Sequence, residues 1–87
     1  MPSVFKVWIP KSVQKDLLRI PAPWVERVQK SIDNLSSDPF MGEKMSGKLA
    51  DYRKIRVWPY RVIYRVDKST KNIYVSEVGH RGDMSYK

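Results

Sequence analysis

Residues 52–66 read YRKIRVWPYRVIYRV, and their alternation decides the fold of the rest of the chain. Tyr52 to Trp58 makes one strand, Pro59 and Tyr60 a tight turn, and Arg61 to Asp67 the next strand. Successive side chains of a strand point to opposite faces. Tyr52, Lys54, Arg56 and Trp58 therefore project to one side, and Arg53, Ile55 and Val57 to the other. On the following strand Val62, Tyr64 and Val66 form the apolar set, while Arg61, Ile63 and Arg65 face away from it. Neighbouring strands lie about 4.8 Å apart, so Lys54, Arg56 and Arg61 converge within reach of one phosphate. A solvated strand face is the ordinary reading of any single cation here. It explains the set less well, because like charges on facing strands destabilise a sheet.

Working outward from the hairpin, Asp67 to Lys71 (DKSTK) is a polar turn and Asn72 to Gly79 a third strand, which completes an antiparallel meander. Met41 to Asp51 (MGEKMSGKLAD) has glycines and mixed polarity and reads as a loop. Ahead of it the period changes. Val25, Val28, Ile32 and Leu35 make the apolar stripe of a helix, with Arg27, Gln29, Lys30 and Asp33 facing water. Pro21 and Pro23 separate this helix from a shorter one that carries Val13, Leu17 and Ile20. Val4 to Ile9 is a first strand with Phe5, Val7 and Ile9 on one face, ended by Pro10. The predicted order is β-α-α-β-β-β, an α+β fold in which two N-terminal helices pack on one face of the sheet and leave the other bare. At 87 residues, 1–87 form a single domain.

Seventeen basic residues against nine acidic ones give a net charge of +8, which favours a polyanionic partner. The absence of cysteine excludes a disulfide scaffold, a thiolate nucleophile and Cys-ligated zinc. With one histidine there is no metal-ligand cluster, and neither a phosphate-binding glycine loop nor a Ser-His-Asp set can be assembled, so no cofactor is expected. No apolar run approaches the ~20 residues of a membrane helix. The opening MPSVFKVWIPK lacks the apolar core of a signal peptide, so the expected location is the cytoplasm. The Arg81–Asp83 tripeptide RGD is an accident of composition in such a protein. Tyr52 and Trp58 share the basic face, and rings beside cations are what single-stranded nucleic-acid surfaces use.

Three stretches together resemble the RelE/ParE superfamily of toxins from type II toxin–antitoxin pairs. They are MSGKLADYRKIRV, the YRVIYRV that follows, and VGHRGD at the end of the sheet. The resemblance covers essentially the whole chain and is closest to RelE-type members, which are ribosome-dependent mRNA endonucleases. These cut without metal, by attack of the ribose 2′-hydroxyl on its own phosphodiester. It implies catalytic roles for Lys54 and Arg56 on the second strand, Arg61 at the start of the next, Arg81 after the last strand, and Tyr86, which would stack on a base. Arg53, Arg65, Tyr52 and Trp58 are the candidates for contacting the surrounding RNA. Two departures stand out: Arg56 occupies a position where some RelE enzymes carry lysine, and Tyr86 falls one residue late relative to the arginine.

Metal-free cleavage requires a base for the nucleophile, charge stabilisation for the phosphorane, and a proton for the 5′ oxygen. Lys54 is the base candidate, because the flanking Arg56 and Arg61 favour its neutral form, whereas arginine does not deprotonate. Arg56 and Arg61 suit the developing charge, their planar forks matching phosphate oxygens. Arg81 and His80 compete for the leaving group; histidine titrates in the right range, and the resemblance favours Arg81. The resemblance also implies a cognate antitoxin whose helical segment wraps the toxin, the ribosome and mRNA as targets, no membrane partner, and operator DNA reached only through the antitoxin complex. The alternatives are a ParE-like DNA gyrase inhibitor and a non-catalytic nucleic-acid-binding module.

Overall fold

Pro10 ends the first strand and opens the first helix. Its carbonyl accepts from the Gln14 N–H at 2.9 Å, and the Gln14 side-chain amide donates to the Ile9 carbonyl at 2.8 Å, so the bend is closed on both sides. The computed structural model describes residues 4–80. Within them run β1 (Lys6–Trp8), α1 (Lys11–Leu18), α2 (Trp24–Asn34), β2 (Glu43–Lys44), β3 (Tyr52–Val57), β4 (Tyr60–Asp67) and β5 (Asn72–His80), with one 3-10 turn at Gly47–Leu49. α1 buries Val13 and Leu17; α2 buries Val28 and Ile32, and Leu35 at its C-cap is buried with them. These are the apolar positions at helical spacing. They pack on Ile55, Val62, Tyr64, Ile73, Val75 and Val78, which are the inward residues of β3, β4 and β5.

The sheet has five strands in the order β1-β5-β4-β3-β2. β3, β4 and β5 form the expected meander, and β1 lies parallel to β5, with Val7 opposite Ile73. A parallel pair needs a long connection, which the helices and the meander between them supply. The fold class is as the sequence predicts, with one addition. The segment expected to be a loop contributes β2, whose Glu43 and Lys44 pair with Lys54 and Arg53. Two residues are too few to display a period, and Gly47, with φ at +66°, turns the chain immediately afterwards.

The segment between α2 and β2 is held from inside the sheet. Tyr64 is fully buried; its hydroxyl donates to the Pro39 carbonyl at 2.8 Å and accepts from the Gly42 N–H at 2.9 Å. Arg53 donates to the Gly42 carbonyl at 2.9 Å and lies 5.0 Å above the Phe40 ring. Gly42 is packed against this arrangement. A Cβ there would stand 2.8 Å from both the Lys54 carbonyl and the Tyr64 hydroxyl, and the first of these is backbone. Gly42→Ala is therefore expected to lower stability by about 1–3 kcal/mol, as overpacked sites do. A urea midpoint equal to that of the wild type would contradict this. The clamp matters for function because the next residue, Glu43, is placed by it against the basic face.

Candidate functional site

The pairing of β3 with β4 sets Tyr52 opposite Arg65, Lys54 opposite Ile63 and Arg56 opposite Arg61. All six side chains belong to the face that the helices leave bare. Directly opposed residues have Cβ atoms about 4.5–5.5 Å apart, and diagonal neighbours such as Lys54 and Arg61 are separated by roughly 7–8 Å. Three cations thus ring one spot. Ile63, opposite Lys54 and two residues along β4 from Arg61, completes this patch and is only 3% exposed although it lies outside the helix-packed core; its cross-strand neighbours are Lys54 and Glu77. The repulsion between Arg56 and Arg61 is partly offset by Glu43, whose carboxylate is 3.6 Å from the Arg56 guanidinium. Their side chains are 60% and 63% exposed, so this pair contributes at most about 1 kcal/mol. An incoming phosphate can displace it. Chemically, the arrangement is a cationic ring around an apolar floor, closed on one side by a weakly held carboxylate.

The remaining candidates separate. Tyr52 and Arg65 continue the same face toward the β4–β5 turn, with the Arg65 guanidinium 4.9 Å over the Tyr74 ring. Trp58 stands at the β3–β4 turn and is 65% exposed. Arg53 does not join them. Strand alternation turns it to the other side, where the Phe40 ring and the carbonyls of Phe40 and Gly42 engage it. His80 also projects to the other side. Its register partner is Tyr60, while Gly79 is the partner of Arg61. The imidazole therefore shares the side of Tyr60, with which it makes an edge-to-face contact at 5.6 Å. There it lines a cleft of about 520 Å³ with Asp16, Arg19 and Ile20, away from the three cations. Arg81 and Tyr86 lie outside the described residues. Glu43 is the site residue that sequence reasoning missed, because nothing in MGEKMSG marks a strand. Ile63 carried a readable signal, as the one apolar residue between two outward arginines. Among the described residues no cluster of three His, Cys, Asp or Glu side chains could hold a metal, and no helix is long and apolar enough to cross a membrane.

The chain has counterparts among known proteins. The chain is similar to the toxin in the RelBE2 toxin–antitoxin complex of Mycobacterium tuberculosis, with 25% identity and a TM-score of 0.79 over 95% of this chain and 98% of that one. It is similar to a chain of the archaeal RelE–RelB complex from Pyrococcus horikoshii at 28% identity and a TM-score of 0.77, over 93% and 99% of the two chains. The isolated RelE toxin of E. coli shares the fold, with 22% identity and a TM-score of 0.72 over 87% and 83%. Among curated protein sequences none matches. The model of a family described as the ParE toxin of type II toxin–antitoxin systems, parDE, matches residues 7–84. The chain belongs to this ParE toxin family, within the RelE/ParE superfamily of toxins from type II toxin–antitoxin pairs.

Proposed function

We propose that this toxin is a ribosome-dependent mRNA endonuclease that halts translation by cutting the message. The observation that carries the reading is the grouping of Lys54, Arg56 and Arg61 beside Ile63 on the bare face. In the reaction the ribose 2′-oxygen attacks the adjacent phosphorus, the P–O2′ bond forms and the P–O5′ bond breaks. Lys54 takes the 2′-hydroxyl proton. Arg56 and Arg61 bind the non-bridging oxygens as charge builds on them. The 5′ oxygen leaves with a proton, the service that the family resemblance gives to Arg81, and Tyr86 stacks on a neighbouring base. The products are a 2′,3′-cyclic phosphate and a 5′-hydroxyl. Cations make weak acid–base catalysts, so alignment of the message by the ribosome supplies much of the rate, chiefly through orientation. Such a toxin acts in the cytoplasm, where its targets are.

A cognate antitoxin is the expected protein partner, because the similar toxins from M. tuberculosis and P. horikoshii were solved as complexes with theirs. Operator DNA would be reached through that complex. The match to the ParE family model favours a second reading, inhibition of DNA gyrase without RNA cleavage. One experiment divides the two. The purified toxin is added to a translating extract with and without EDTA, message ends are mapped by primer extension, and gyrase–DNA adducts are assayed in parallel. Codon-positioned cuts that are indifferent to EDTA and end in a cyclic or 3′ phosphate support the nuclease. Intact messages with trapped gyrase would replace it by the second reading.

A further inference from the structure

Trp8 adds nothing to the core. β1 and its flanks send Phe5, Val7 and Ile9 inward, while Trp8 stands on the bare face with 45% of its surface exposed. Its register partner is Tyr74; Tyr74 is paired with Arg65, and Arg65 with Tyr52. One straight row across four strands therefore carries two rings, a guanidinium and a third ring, with no carboxylate among them. Two cations sit on these rings: the Lys6 ammonium lies 4.2 Å from the centre of the Trp8 ring, and the Arg65 guanidinium 4.9 Å from that of Tyr74. The indole N–H donates to Asn72 Oδ1 at 3.0 Å, which fixes the plane of the Trp8 ring. Neither Trp8, Tyr74 nor Tyr52 belongs to the core cluster. The row lies four residues along β4 from Arg61, about 13 Å at the rise of a strand. A nucleotide cleaved at Arg61 does not reach it, whereas a chain of nucleotides crossing the same face does.

We infer that Lys6, Trp8 and Tyr74, together with Arg65, form a second RNA subsite that stacks unpaired bases and neutralises their phosphates at a distance from the cleavage point. The inference deepens the nuclease reading and rests on it. Cation–ring pairs can simply pin an edge strand. That alternative leaves unexplained why Trp8 stays open to solvent, with Tyr74 and Tyr52 only half-buried beside it, and why the row is continuous with the cations on the same face. Rings interleaved with cations fit single-stranded RNA, because every base has a face to stack and every linkage a charge. That RNA could be the message itself or an unpaired segment of ribosomal RNA; the chemistry is shared.

The test compares wild type with Trp8→Thr, Trp8→Phe and Lys6→Ala, using toxin separated from its antitoxin. Thr is a strong strand former and guards β1 against loss of structure. The first arm measures anisotropy of a fluorescent single-stranded oligonucleotide whose 2′-positions are methylated to prevent cleavage. The second measures pelleting with ribosomes that carry no message. Trp8→Thr is expected to weaken binding in one of the arms by roughly 5- to 100-fold, the range seen for loss of one stacked base. Trp8→Phe should recover most of it, and Lys6→Ala should flatten the salt dependence. An effect in the first arm identifies the message, and an effect in the second alone identifies ribosomal RNA. Wild-type behaviour of Trp8→Thr in both arms would overturn the inference, as would undisturbed RNA binding combined with a weakened antitoxin complex, which would make the row a protein interface. Cleavage that needs Arg61 but not Trp8 would sink this inference alone. RNA binding through Trp8 without message cleavage would sink the nuclease reading and leave the subsite standing.

Discussion

Arg61→Ala is expected to reduce message cleavage by about 10²–10³-fold, the usual cost of removing one preorganised donor to a developing oxyanion. Arg61 faces Arg56 and is diagonal to Lys54, so its fork is the one both neighbours converge upon. Lys54→Ala should cost about as much or more, since general-base help is worth roughly 10²–10⁴-fold. The double substitution should fall well short of the product, because residues that act on one transition state are not additive. Arg61→Lys keeps the charge but loses the planar fork, so only partial activity should return. Both residues lie outside the core cluster, and the alanine variants should unfold within about 0.5 kcal/mol of wild type, as surface substitutions do. Primer extension in the translating extract, with growth arrest after induction as a second readout, checks this. Full cleavage by a folded Arg61→Ala protein would remove the cationic ring from the mechanism.

Most of the fold was legible because its core is written in two periods. Val13, Leu17 and Ile20, then Val28, Ile32 and Leu35, keep helical spacing; Val62, Tyr64 and Val66 keep strand spacing. Each set is buried or packed against the core where the pattern places it. The three converging cations were legible for the same reason, since alternation assigns Lys54, Arg56 and Arg61 to one face once the hairpin is recognised. What pattern cannot carry is register between strands distant in sequence. The row of Trp8, Tyr74 and Arg65 depends on the parallel pairing of β1 with β5, and no local period announces it. Arg53 shows a related limit. Alternation sends it inward, but no local pattern announces the Phe40 and Gly42 carbonyls that engage its guanidinium there. For His80 the sequence offered chemistry without direction: an imidazole next to an arginine suggests one site, whereas the strand sends His80 to the side of Tyr60.

Tyr64→Phe should be the most destabilising single-atom deletion in the described residues. The change keeps the ring in the core and removes only the oxygen that bonds the Pro39 carbonyl and the Gly42 N–H. Both partners belong to buried residues, and each unpaired buried group costs about 1–3 kcal/mol. A loss of about 2–4 kcal/mol is a large share of what a domain of this size possesses, roughly 5–13 kcal/mol. A second signature follows from ionisation. Burial pushes the Tyr64 hydroxyl above the ordinary tyrosine value of 10.0, outweighing the Gly42 hydrogen bond and the Arg53 charge, which pull it down. A folded-state value raised above the unfolded one means that the stabilisation is fully present below pH 10 and is lost as pH climbs from there through the folded value. The wild type should accordingly weaken above pH 10, and its advantage over Tyr64→Phe should shrink there. Chemical denaturation of both proteins across pH 7 to 11 reads the two effects together. Equal urea midpoints at pH 7 would show that the α2–β2 segment is held in place by something other than this hydroxyl. In that event Glu43 would lose its anchor, and with it the placement of the carboxylate that partners Arg56.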